Sequence, residues 1–334
     1  MKLYKLLFFF SLLFGSLMAI SSFSWFSMWM GLEINLLSII PLMSNNKNCF
    51  PSEASIKYFI TQTIASSMIM ISIILNLNLL EFIPQNSNTF LNMMMNSGLL
   101  MKMGAAPFHF WFPEIMEGLN WMMGLIMLTW QKIAPMILLM NNLKLNLFIM
   151  LIIIYSSMIG GIQGLNQVSL RKIMAYSSIN HIGWMLSSML FSNSIWMLYF
   201  LIYTLISLSM IIIFKEINSM FMKQLFNSMN NMKMLKFTFS LNFLSLGGLP
   251  PFLGFLPKWI TINSLIMNNL YILAFILIIT TLITLFYYLR ISSNSLMLYS
   301  SETLNNKLSI KNYLITVNII TLMSLTFCTF LINF

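Results

Sequence analysis

Apolar runs of about twenty residues recur from one end of this sequence to the other, joined by short connections. A run of that length spans a bilayer as a helix, so the pattern reads as a bundle of membrane helices. Charge scarcity agrees with it. Only 7% of the 334 residues are charged, against about 25% in an ordinary soluble domain, too few to cover a water-facing surface. The formal net charge of +10 could suggest nucleic acid, but the basic residues are scattered between apolar spans, so membrane topology explains them better. Cys49 and Cys328 are far apart, form no metal-ligand spacing and set no redox compartment. The start, Met1-Lys2-Leu3-Tyr4-Lys5 before an apolar run, imitates a signal peptide. It lacks a small-x-small cleavage site and more spans follow directly, so it reads as the first helix.

The runs predict an all-α polytopic membrane protein of about eleven transmembrane helices, at 3–23, 25–43, 56–80, 90–112, 118–140, 145–165, 171–191, 194–214, 237–267, 270–291 and 313–334. With the N-terminus on one side, thirteen basic residues fall on or near that side and only Lys144 falls on the other. This is the positive-inside asymmetry, and one helix more or fewer would spoil it. The N-terminus is expected on the matrix or cytoplasmic side, with the C-terminus opposite. Residues 215–236 carry four Lys among apolar residues. They read either as an interfacial, partly helical loop touching anionic lipid or neighbouring subunits, or as a solvated connector.

Four charges remain, all well inside their spans: Glu33, Lys102, Lys132 and Lys258. Each costs at least about 2.5–3.5 kcal/mol at bilayer depth, which makes them functional candidates by default. The bland readings are buried structural pairs, or, for Lys258 after Pro257, snorkelling to the interface. His181 also lies mid-span and titrates near physiological pH when unperturbed; a satisfied packing histidine is an equal reading. His109, beside a helix break, reads as structural.

Proline adds a second signal. Pro107 and Pro113 interrupt the fourth span, and Pro250, Pro251 and Pro257 the ninth. Each break frees a carbonyl, tolerated at membrane depth only where protein or water satisfies it. Both broken spans contain an unexplained Lys, a recurring device of ion transporters. The breaks also match each other as G-x-x-P-F-x4-P, from Gly104 and again from Gly248, 144 residues and five spans later. An odd number of spans inverts the second copy. The chain therefore reads as an inverted-repeat transporter, with a first five-helix unit at 1–140 and a second at 141–292. A matrix loop and a last helix occupy 293–334.

At these residues the chain resembles the subunit 2 family of mitochondrial NADH:ubiquinone oxidoreductase, respiratory complex I. The hallmark segments are WMGLEINLLSIIP, KMGAAPFHFWFPEIMEG, TWQKIAP, GLNQVSLRKIMAYSSINHIGWM and LSLGGLPPFLGFLPKW. The resemblance covers Trp25 to Arg290, and the Met-rich style (33 Met, two Arg) is similar to arthropod mitochondrial copies. It implies an antiporter-like fold of two inverted five-helix units and a start where animal versions begin, three helices later than bacterial ones. It implies proton-relay roles for Glu33, Lys102, Lys132, His181 and Lys258. No cofactor is expected on this chain; FMN, iron–sulfur clusters and ubiquinone are expected in other subunits. Expected partners are other complex I membrane subunits, further antiporter-like ones included, and lipids such as cardiolipin. The freed carbonyls at Pro107 and Pro250/Pro251 are expected to hold water for the relay. Two other readings stand beside this one: a stand-alone cation/proton antiporter, and a scaffold subunit that moves no ion.

Overall fold

The computed structural model describes residues 3–44, 48–79, 87–143, 147–229, 233–250 and 252–297. Among them every named element is a helix, and the chain divides into two compact units between Phe148 and Ile149. Seven helical stretches among the described residues, Trp121–Asn142 counted as one, are long and apolar enough to cross a membrane. The expected last helix, 313–334, lies outside the described residues, as does Pro251.

In the first unit, α1 (Leu3–Ser21) and α2 (Trp25–Met43) cross at small residues. A side chain at Gly31 would meet the Ala19 backbone at 2.6 Å, and one at Gly15 the Asn35 amide at 2.9 Å. Small residues permit that approach, and close packing replaces the hydrophobic drive that lipid does not supply. The opposite face of α1 exposes Leu3, Leu7, Phe10, Phe14 and Leu17 at alternating four- and three-residue spacing, a stripe suited to acyl chains.

The third helix, α3 (Cys49–Leu79), begins seven residues before the predicted start at 56. Its polar first turns are pinned by Lys57, which pairs at 3.0 Å with Glu53 on the same helix and with Glu114. Both pairs are well exposed, so solvent screening leaves them little weight in stability.

The fourth predicted span, 90–112, is two helices, α4 (Ser87–Met103) and α5 (Trp111–Gly118), joined by a turn at Gly104. The fifth is also divided, into α6 (Trp121–Leu128) and α7 (Trp130–Asn142). Pro135 lacks the N–H that would use the Gln131 carbonyl. The Thr129 hydroxyl takes the Leu125 carbonyl at 2.7 Å, a competing bond that bends helices.

The second unit holds α8 (Leu147–Gly164) from Ile149 onward, with α9 (Leu170–Met189) and α10 (Asn193–Ile217). Helix α9 is too polar to count as a membrane span on hydropathy, yet seventeen of its twenty residues are buried. It faces protein on all sides, which explains why serine, asparagine and histidine are tolerated there. A short helix, α11 (Met222–Met229), lies in the basic 215–236 stretch. The ninth predicted span is broken into α12 (Lys233–Gly247) and α13 (Phe255–Met267), and α14 (Tyr271–Met297) follows.

The two units repeat local detail. Gly104 and Gly248 both have positive φ, 76° and 78°. In each, the glycine N–H and the following N–H return to the carbonyl four residues before the glycine, Leu100 or Leu244. Only glycine adopts that left-handed helix end without strain. The first helix crossing recurs as well, 145 residues on: as Gly15 meets the Asn35 amide, Gly160 meets the Asn180 amide, at 2.6 Å.

Candidate functional site

In the first unit Glu33 lies on α2, Lys102 on the last turn of α4 and Lys132 on the first turn of α7. Each lysine therefore sits at a helix discontinuity. Lys102 is 7% exposed and Lys132 only 1%. The Lys132 ammonium stands 5.3 Å from the centre of the Phe112 ring, within cation–π range, and Phe112 belongs to the helix that restarts after the break.

Glu33 is half-buried, and its Oε1 is fully buried with no hydrogen-bond partner. The carboxylate acts electrostatically on both Lys102 and Tyr58. It is not in ion-pair contact with Lys102: no ion pair within 4.0 Å joins the two. The two side chains stand within electrostatic reach without touching.

Around Lys102 the structure assembles neutral polar groups from three helices. The buried Tyr58 hydroxyl of α3 donates to Gln131 Oε1 at 3.3 Å, and Gln131 Nε2 of α7 donates to Asn35 Oδ1 of α2 at 2.9 Å. With Gln62 they line a narrow cavity that Lys102 also borders.

In the second unit Lys258 is 6% exposed. Its ammonium donates to the Gly247 carbonyl at 2.8 Å and the Leu246 carbonyl at 3.3 Å, and lies 5.9 Å from the Trp184 ring. It therefore turns inward onto the end of α12, where the helix dipole favours a cation, and does not snorkel. Gly248 makes the room: a side chain there would meet Lys258 Cδ at 2.8 Å. His181 on α9 is 5% exposed, with Nδ1 at 2.9 Å from the Tyr199 hydroxyl and its ring centre 5.2 Å from that of Tyr203. All three line a small cavity together with Leu246 and Pro257. His109 is buried against Phe110, and its backbone carbonyl accepts the Phe112 N–H at the restart of α5.

Several carbonyls at the breaks have donors within the protein. Leu100 accepts from Gly104 and Ala105, Met101 from Gly104 and the Trp111 indole, and Leu246 and Gly247 from Lys258. The neutral polar side chains that line the two cavities, Asn35, Tyr58, Gln62, Gln131, Tyr199 and Tyr203, were not singled out in the sequence because they carry no charge. The available signal was a neutral polar residue in mid-span, as in EIN at 33–35 or TWQK at 129–132.

Comparison with known proteins adds a separate line. Residues 22–284 match the family model described as the membrane part of NADH:quinone oxidoreductase and Mrp antiporters. The chain is 49% identical to NADH-ubiquinone oxidoreductase chain 2 of Aedes aegypti, over 98% of each chain. It is 49% identical to the Anopheles gambiae protein of the same name over 92% of each, and 40% identical to that of Mus musculus over 90% of this chain and 88% of the mouse one. In fold it is similar to a chain of respiratory complex I from Thermus thermophilus with bound Aureothin, at a TM-score of 0.87 and 21% identity, covering 97% of this chain and 78% of that one.

Proposed function

Because the chain belongs to the membrane family of NADH:quinone oxidoreductases and Mrp antiporters, among its NADH-ubiquinone oxidoreductase chain 2 members, we propose that it moves protons across the inner mitochondrial membrane as a subunit of respiratory complex I. The carrying observation is that three lysines, Lys102, Lys132 and Lys258, are buried to 7% exposure or less at helix discontinuities. A fold has no structural need for such groups at membrane depth.

In this reading Glu33 and Lys102 form a switch. A carboxylate nearby favours the charged ammonium; neutralising or withdrawing it lets Lys102 release its proton. The proton then passes by way of Lys132 and His181 to Lys258, near the exit. Each proton driven outward costs about 2.3 kcal/mol per 100 mV. That energy comes from quinone reduction in neighbouring subunits, which also hold the FMN, the iron–sulfur clusters and the ubiquinone; this chain binds no cofactor. Its partners are the other membrane subunits, antiporter-like ones among them, and anionic lipid such as cardiolipin.

We further read the chain as eleven spans, with two five-helix units in inverted topology. The matching glycine turns at Gly104 and Gly248 and the matching Gly–Asn crossings support the repeat. The basic-residue asymmetry supports a matrix N-terminus and an intermembrane-space C-terminus.

The test is Glu33→Gln in the assembled enzyme. Pumping should fall while assembly and NADH oxidation by the peripheral arm survive; loss of assembly with pumping intact in the residue would return Glu33 to a structural role. In the same preparations Cys49, a free and exposed thiol, should react with an impermeant reagent from the matrix face alone. Labelling from the opposite face would reverse the topology.

A further inference from the structure

We propose that the cavity bordering Lys102 is a built water site, and that Gln62 is the positioning residue that holds its water against the Lys102 ammonium. The inference rests on the reading of Lys102 as a proton carrier and adds a residue that neither charge nor family membership singles out.

Three observations converge on it. First, the cavity has room for about one water and is lined by Asn35, Tyr58, Gln62, Lys102 and Gln131, more than the two to four polar partners a buried water needs. Second, Gln62 is 3% exposed, and its Nε2 is buried with no hydrogen-bond partner in the protein. A dry, unpartnered amide donor destabilises a fold, and an apolar residue of the same volume would avoid the penalty. Its presence in the cavity wall therefore points to a ligand that accepts a hydrogen bond. Third, the Lys102 ammonium makes no hydrogen bond or ion pair to a described residue and stands within electrostatic reach of Glu33 without contact. A charged ammonium in that setting requires an acceptor.

One water meets both needs. Its oxygen accepts from Gln62 Nε2 and from Lys102 Nζ, and its two O–H groups donate to the remaining lone pairs of the Asn35 and Gln131 carbonyls. Those carbonyls are already fixed by the Tyr58–Gln131–Asn35 chain at 3.3 and 2.9 Å. Gln62 gains and loses no proton. It fixes the place at which Lys102 stays solvated and exchanges its own.

The test compares Gln62→Met, Gln62→Asn and Lys102→Met in the assembled enzyme, reconstituted into proteoliposomes. Met keeps the volume and removes the donor, so the Gln62→Met enzyme should assemble with native or higher thermal stability. Its coupled pumping should fall by roughly tenfold, in line with the sensitivity of transfer steps to small misplacements, and the pH profile of pumping should shift. Gln62→Asn, which retains an amide and leaves space for solvent, should restore most of the rate and the native profile. Native pumping in Gln62→Met, together with loss of pumping in Lys102→Met, would overturn the water site and leave the relay standing. Native pumping in both would overturn the relay itself. Failure of Gln62→Met to assemble would make Gln62 a packing residue and end the proposal.

Discussion

At the scale of single residues, the molecule separates charges that need explanation from neutral groups that supply it. Glu33, Lys102, Lys132 and Lys258 were legible in the sequence because a charge at bilayer depth is too costly to be incidental. Their surroundings were not. The partner of His181 is the Tyr199 hydroxyl at 2.9 Å, eighteen residues away on another helix, and no local pattern announces it. Tyr199→Phe deletes only that hydroxyl. Stability should fall by about 0.5–1.5 kcal/mol, the net worth of one hydrogen bond, while pumping should fall several-fold because the imidazole loses the group that orients it. Unchanged pumping, measured as acidification per NADH oxidised, would make Tyr199 a packing partner only. Lys258 had three open readings in the sequence: relay group, buried structural cation or snorkelling cation. Its bonds to Gly247 and Leu246 count against the last.

At the scale of elements, proline breaks were legible and their consequences only partly so. Pro107 and Pro250 mark interruptions wherever they occur in a helix, and both interruptions are present. The division at Thr129 was missed because its cause lies further along, in Pro135, and needs the Thr129 hydroxyl to compete for a carbonyl. The early start of α3 was missed because Glu53 and Lys57 look like loop residues until Glu114 is brought beside them. Glycine sharpens the argument at the second break. Gly248→Ala forces a side chain into a left-handed backbone with φ of 78°, costing roughly 1–2 kcal/mol, and pushes on Lys258 at 2.8 Å. Its neighbour is the control. A side chain at Gly247 would meet Tyr288 at 3.6 Å and Leu285 at 3.7 Å, both ordinary contacts, and Ala is favoured over Gly within a helix by about 0.5–1 kcal/mol. Thermal unfolding of the assembled enzyme should therefore drop for Gly248→Ala and hold or rise for Gly247→Ala. Equal effects would remove the glycine turn from the account.

At the scale of the whole molecule, the all-helical membrane architecture was written in the alternation of apolar spans and basic connections, since hydrocarbon leaves the backbone few options. The same economy obscures α9, which is too polar to read as lipid-facing and is buried by protein. Family membership and antiporter-like fold converge with that architecture from independent directions. What distinguishes a pump from a scaffold is whether the buried lysines carry protons. The most direct measurement is the number of protons translocated per NADH oxidised by the assembled enzyme bearing Lys102→Met, Lys132→Met and Lys258→Met together. The account predicts an assembled complex with a ratio clearly below native. A native ratio in that enzyme would contradict it and make this chain a scaffold.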